Sequence, residues 1–301
     1  MRAPLWVVLC TVALMPSAAW AHGVLGQRLF PASLTVEDPF PADEFALTVE
    51  SRRHHDEREL VLDAELQKRL TPNLGIAVGS GYAIIHPDAG PVRSGGTNPA
   101  FALNYALYRN APHEWIATAS IGIAPGGLGS DRIGAEDLTT VAPAFLFGKG
   151  FGDLPDGLAL LRPLAVTGRI GFEIPWGRTD AGADAASHRA YGLVLEYSIP
   201  YLQSAVVDVG IPWPFNRLFP VVELTYDAPM TGPDAHRAEA FLNPGLIWAG
   251  KYAELGLEAS IPLNDRSGDH LGIVALIHLF LDDLAPDRLG RPLLIEAAAR
   301  P

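Results

Sequence analysis

Glu254 and Glu258 stand four residues apart in the stretch AELGLEASIPL, residues 253–263. Gly256 and Ser260 share their parity, and Leu255, Leu257, Ala259 and Ile261 hold the other. Successive side chains in a strand point to opposite faces, so both carboxylates project to one side and the aliphatic residues to the other. The pattern recurs along the chain. Glu50, Asp63, Glu65, Glu173, Glu196 and Glu223 each interrupt an alternating run, as do Arg169 and His278. Carboxylates on a wetted inner face favour cations or polar cationic solutes. The same carboxylates, set against Arg52, Lys68 and Arg169, also make a charge network that only fills space. The spacing supports both outcomes.

Histidines offer a second chemistry. His54, His55, His86, His188, His236 and His270 fall at or near one set of connections, where a cluster of imidazoles would suit Zn²⁺ or Cu²⁺. Their spacing contains no i, i+4 or H-x-H pair, and adjacent His54 and His55 point to opposite faces of a strand, so solvated loop histidines are expected. His22 would begin the mature chain, where an α-amine and imidazole chelate copper only with a further histidine. No such partner stands out. His278 is expected to point inward as a hydrogen-bonded filler. A lipid hydrolase would need a Ser–His–acid arrangement. Ser120, Ser198 and Ser260 share no motif with any histidine, and G-x-S-x-G is absent. The glycine-rich stretches GSGYA (79–83) and GPVRSGG (90–96) lack the lysine of a phosphate loop. No catalytic residue, metal or cofactor is therefore expected.

The elements that must position these residues are twelve alternating runs: 43–53, 59–70, 74–86, 99–109, 115–124, 137–148, 162–174, 189–200, 219–228, 238–248, 253–262 and 269–280. Most are close to the ~9–11 residues that a tilted strand needs to cross a bilayer. Strand 59–70 sets Leu60, Leu62, Ala64 and Leu66 against Val61, Asp63, Glu65 and Gln67. Strand 189–200 sets Tyr191, Leu193, Leu195, Tyr197 and Ile199 against Gly192, Val194, Glu196 and Ser198. A soluble sandwich would show such faces once or twice. Repeated with charges in mid-strand, they indicate an all-β transmembrane antiparallel barrel of about twelve strands, lipid outside and water within.

The connections agree. With the N-terminus in the periplasm, the links TPN (71–73), NAPHE (110–114) and GKYA (249–252) are tight. Most links at the other end are long and rich in Gly and Asp. Two periplasmic links, 149–161 and 201–218, are long and partly apolar, and would hold either a short helix or a further strand pair. Tyr108, Trp115, Phe145, Phe147, Tyr197, Tyr201 and Trp248 lie near periplasmic strand ends, and Trp176, Tyr191 and Tyr226 near outer ends, as two aromatic belts require.

Composition fits this picture. The chain has 22 Lys+Arg against 34 Asp+Glu, which argues against a nucleic-acid partner. Residues 1–21 read as a signal peptide, with Arg2, an apolar core and small residues at Ala19 and Ala21. The sole cysteine, Cys10, lies inside it. Residues 22–42, broken by prolines, are expected in the periplasm, 43–280 form the barrel, and 281–301 form a periplasmic tail. The expected partners are outer-membrane lipid, the barrel-assembly machinery and a small solute.

The segments HGVLGQRLFPASLTVEDPFPADEF, GKGFGDLP, LEYSIPYLQS and HLFLDDLAPDRLGRPLL together resemble poorly characterised proteobacterial outer-membrane proteins loosely grouped with phenol meta-pathway degradation barrels. The resemblance implies a barrel and carries no catalytic residues with it. Many such barrels end in an aromatic residue read by the assembly machinery. Here Phe280 ends the last strand and a tail follows.

Overall fold

The computed structural model describes residues 23–54, 56–177, 186–231, 235 and 237–294. The expected signal peptide, His22, His55, His236 and the end of the chain from residue 295 lie outside them. Twelve long strands form where alternation predicts them, each boundary within three residues. They are β1 (Glu44–His54), β2 (Glu57–Arg69), β3 (Leu74–Pro87), β4 (Ala100–Asn110), β5 (Trp115–Ala124) and β6 (Thr139–Gly150). They continue as β7 (Leu164–Trp176), β8 (His188–Tyr197), β9 (Leu218–Pro229), β10 (Glu239–Ala249), β11 (Ala253–Pro262) and β12 (Gly272–Phe280).

Every neighbouring pair is antiparallel, and β12 returns to β1 with Leu279 opposite Phe45 and Val274 opposite Glu50. The sheet is a closed barrel, so no full-length edge is left to pair with another chain. The shortest seam lies between β3 and β4, where pairing runs only from Leu74↔Tyr105 to Gly79↔Ala100. The far half of β3 pairs instead with the ribbon Arg93–Gly96.

The two faces are inverted relative to a soluble protein. Leu193, Leu195, Leu246, Leu255, Leu257, Ile273 and Ile277 are exposed on the outside, while Glu196, Glu223, Asn243, Glu254 and His278 are buried inside. Leu257 is 59% exposed and the adjacent Glu258 only 2%. A contiguous apolar belt of this kind suits hydrocarbon, not water.

One end of the barrel, the turn end, carries the tight links. Its two long links resolve as short helices, not extra strands: Asp156–Leu161 after β6, and Ile199–Tyr201, Leu202–Val206 and Phe215–Arg217 after β8. The opposite, loop end carries most of the longer polar connections. After β12 the chain makes the helical turn Leu281–Leu284 and runs back along the turn-end rim. There the Leu293 N–H donates to the Arg69 carbonyl at 3.1 Å and the Leu294 N–H to that of Leu70 at 2.9 Å.

The N-terminal segment departs from expectation. Residues 22–42 are expected in the periplasm, but Leu25, Phe30, Leu34, Val36, Phe40 and Ala42 are buried, most of them against the inner wall. A small hairpin, Val24–Leu25 with Arg28–Leu29, starts the segment. Its turn needs Gly26 at φ +67°, and a Cβ there would lie 2.5 Å from the Ala111 carbonyl oxygen. Leu34 then packs with Phe219, Val221, Ile247, Val274 and Leu276. The physical reason is width: wall side chains fill a barrel of about eight strands, and a wider lumen needs an insert to exclude water. Glycines in the wall make the room. A Cβ at Gly256 would come within 2.7 Å of Leu34, and one at Gly192 within 2.6 Å of Val36.

Candidate functional site in the barrel lumen

The inner wall of β9 to β12 grips the N-terminal segment through its carboxylates. Glu223 on β9 accepts from the backbone N–H groups of Leu34 (2.8 Å), Thr35 (2.8 Å) and Val36 (3.1 Å), and from the Thr35 hydroxyl at 2.5 Å. Asn243, opposite Glu223 on β10, donates its amide to the Thr35 hydroxyl oxygen at 3.0 Å. Glu254 on β11 accepts from the Ala32 N–H at 2.9 Å. His278 on β12 bridges two carboxylates, with Nδ1 3.1 Å from Glu254 and Nε2 3.2 Å from Glu44. Glu258 sits inside the same arc, opposite Gly245, whose missing side chain leaves space for it. Charge-assisted bonds to backbone N–H groups are stronger than neutral ones. The carboxylates therefore act as acceptors for a segment that has no strand partner for its own donors.

A second anchor lies at the turn end. Arg28, fully buried, points Nε at Glu114 (2.7 Å), donates Nη1 to the Pro163 carbonyl (2.9 Å) and Nη2 to that of Arg162, and stacks over the Tyr201 ring at 4.3 Å. One guanidinium thus ties the segment to the β4–β5 turn and to both long links. Glu114 also accepts from the Gly152 N–H at 3.1 Å. Asp43, likewise fully buried, accepts from the Arg69 N–H and Nε, both at 2.8 Å, and from Lys68 Nζ at 2.8 Å. Lys68 also donates to the carbonyls of Leu289 and Arg291 in the tail. It therefore belongs to the rim, not to the lumen where the sequence reading set it. It shares parity with Leu66, not with Gln67. On the outside of the same end Asp153 sits 2.9 Å from His113. That hydrogen bond, with Lys149 adding to it, holds the carboxyl below the usual carboxylate range.

Past the segment the lumen is hollow. A cavity of about 580 Å³ faces the loop end, lined by Glu37, Glu59, Glu65, Glu173 and Arg169 among small residues such as Ala77, Ala83 and Ala102. A second, of about 360 Å³, lies between Thr35–Asp38 of the segment and Asp63, Glu65 and His278 of the wall. Arg169 Nε is 3.2 Å from Glu37 of the segment.

The candidate residues thus divide into two arcs. Glu223 and Glu254 hold the segment, with His278 bonded behind Glu254 and Glu258 buried beside them. Asp63, Glu65, Arg169 and Glu173 line the cavities. Glu196 is buried on β8 towards the turn end, and Glu50 is paired with Arg52, whose guanidinium lies 4.0 Å above Phe241. Sequence reasoning missed Arg28, Thr35, Asp43, Glu44 and Glu114. Only Arg28 left a visible mark, as the sole basic residue between His22 and Ser51.

The remaining chemistry-bearing residues stay apart. His188 pairs with Asp227 at 2.6 Å and His113 with Asp153, and among the described residues no group of three histidine or carboxylate side chains is arranged to hold a metal ion. Ser120 and Ser260 are buried on the inward parity, and Ser198 caps the helical turn at Ile199 by accepting from the Tyr201 N–H.

No protein-family model matches the chain, and no curated protein matches it either. Solved structures do. An outer-membrane channel from Pseudomonas putida F1 superposes with a TM-score of 0.54 and 12% identity, covering 84% of this chain and 99% of that one. The KdgM porin gives 0.47 and 11%, and the NanC porin 0.48 and 9%, each covering 78% of this chain and 98% of its own. The likeness to the Pseudomonas channel concerns the fold alone.

Proposed function

We propose that this chain is an outer-membrane channel for small solutes, held shut at the turn end by its own N-terminal segment. The observation that carries the reading is the clamp at Glu223. Four donors of an unpaired segment converge on one mid-wall carboxylate, while the lumen beyond stays hollow and acidic. A segment with no strand pairing to the wall is held through side chains and can leave as a unit, whereas the wall, laddered on both sides, cannot. The apolar belt supports placement in a membrane, and the fold shared with the Pseudomonas channel supports transport. Glu37, Glu59, Glu65 and Glu173 against Arg169 leave an excess of negative charge in the open part, which favours cationic or polar cationic solutes. The inward burial of Ser120 and Ser260 supports no hydrolase at the outer wall.

Planar-bilayer recording in a potassium salt gradient tests this. Discrete conductance steps with a cation-preferring reversal potential are expected, and Glu65→Gln with Glu173→Gln should weaken that preference. A second reading, a closed barrel that binds a ligand at its loop end, is favoured by the Arg28 anchor. Absence of steps in both the native protein and Glu223→Ala would rule out passage and leave the closed barrel of that reading.

A further inference from the structure

The two long links at the turn end expose an unusual set of side chains. Leu158, Leu160 and Leu161 of the β6–β7 link are 46%, 65% and 44% exposed. In the β8–β9 link Val207, Val209, Trp213 and Phe215 are 43%, 51%, 73% and 59% exposed. Seven large apolar residues on two neighbouring links exceed what isolated surface exposure explains.

Their position is fixed by the wall. Tyr197 follows Tyr191, Leu193 and Leu195 on the outward parity of β8, and its hydroxyl donates to the Leu160 carbonyl at 3.1 Å. The Leu160 stretch of the β6–β7 link therefore lies under the outer surface of the barrel, while its ends reach the mouth. The two links touch each other through Asp156–Leu161 and Leu202–Val206. The Phe215–Arg217 turn packs against β10, whose outward parity ends in Trp248 at this rim. The exposed apolar surface is thus a continuation of the belt formed by Leu193, Leu195 and Leu246.

We propose that these links form a collar lying in the membrane plane, its Leu160, Trp213 and Phe215 side chains seated at the headgroup–acyl boundary of the leaflet that meets the turn end. The occupant is lipid, on three grounds. The surface is contiguous with the lipid-facing belt, it carries an amphipathic indole of the kind that prefers the headgroup level, and it contains leucines exposed three in four residues. The polar flanks bond within the links: Asp156 pairs with Arg162, and Asp208 accepts from the Gln203 amide. Short irregular elements tied to a barrel can do what a free amphipathic helix does, because the wall sets their depth.

The inference rests on the membrane placement above, and the test separates the two. Proteins with one tryptophan are reconstituted into vesicles containing lipid brominated either high or low on the acyl chain. One keeps Trp213, one carries Leu160→Trp, and one carries Leu195→Trp on the mid-belt, all other tryptophans being phenylalanine. Native folding of each is checked by heat-modifiable gel mobility. Leu195→Trp should be quenched most by the deep bromine. Trp213 and Leu160→Trp should lose most of their emission to the shallow bromine and resist aqueous iodide. Quenching of Leu195→Trp alone, with iodide reaching the link tryptophans, would overturn the collar and leave the barrel in its membrane. Link tryptophans shielded from both quenchers would mean a second copy or another protein covers them, which also overturns it. No quenching at any of the three positions would remove the membrane placement itself.

Discussion

Glu223 makes four hydrogen bonds with two oxygens, and all four donors come from residues 34–36. The consequence is graded. Glu223→Gln keeps one acceptor oxygen, and Glu223→Ala keeps none and strands three backbone N–H groups. Each buried donor left unmade costs about 1–3 kcal/mol unless water reaches it. With water satisfying all but one of the three, Glu223→Ala should raise the released population of the segment by roughly fivefold to a hundredfold, and by more where they stay dry, with Glu223→Gln between it and the native protein. Single-channel open probability, or proteolysis between residues 23 and 43 in otherwise intact barrels, reads this directly. Arg28 is the other single-residue hinge of the account. Its removal leaves Glu114 buried beside two carbonyls, and truncating one partner of a buried pair costs about 3–5 kcal/mol. Arg28→Met should lower thermal stability more than Arg28→Met with Glu114→Gln, as measured by loss of heat-modifiable mobility. None of this bonding was legible beforehand. A carboxylate that accepts from backbone N–H groups leaves no paired residue type in the sequence to find.

At the scale of elements, alternation alone located all twelve strands, because a wall with lipid outside and polar groups inside imposes period two on every crossing. Leu257 is the plainest test. It is exposed in mid-strand on β11, where arginine would cost about 2–4 kcal/mol at the midplane of a bilayer. The same change on an ordinary aqueous surface is nearly neutral. Leu257→Arg should therefore depress folding into vesicles strongly. The N-terminal segment escaped this kind of reading. Its prolines break any period, and its apolar residues, Leu34 and Val36 among them, resemble a linker when no wall is in view. Gly256 and Gly192 were visible on the inward parity, but their purpose depends on what stands opposite. Gly256→Leu should push against Leu34 and expose residues 23–43 to protease while the barrel keeps its unboiled mobility. Lys68 was set in the lumen against its own parity, which it shares with Leu66, and at this strand end the tail supplies its carbonyls.

For the whole molecule, a closed ladder surrounds a segment held only by side chains. The wall is cooperative, since breaking it means opening two seams at once, whereas the segment has its own smaller free energy of release. In the channel proposed above, solute passage then depends on whether that release happens at working temperature. The chain allows a clean lock, because its only cysteine is Cys10 and the Asn243 amide lies 3.0 Å from the Thr35 hydroxyl. Thr35→Cys with Asn243→Cys, recorded in a planar bilayer before and after reduction, measures the gate itself. Closed channels when oxidised and conducting channels when reduced are the expected result. Equal conductance in the two states, or none in either, would contradict the account.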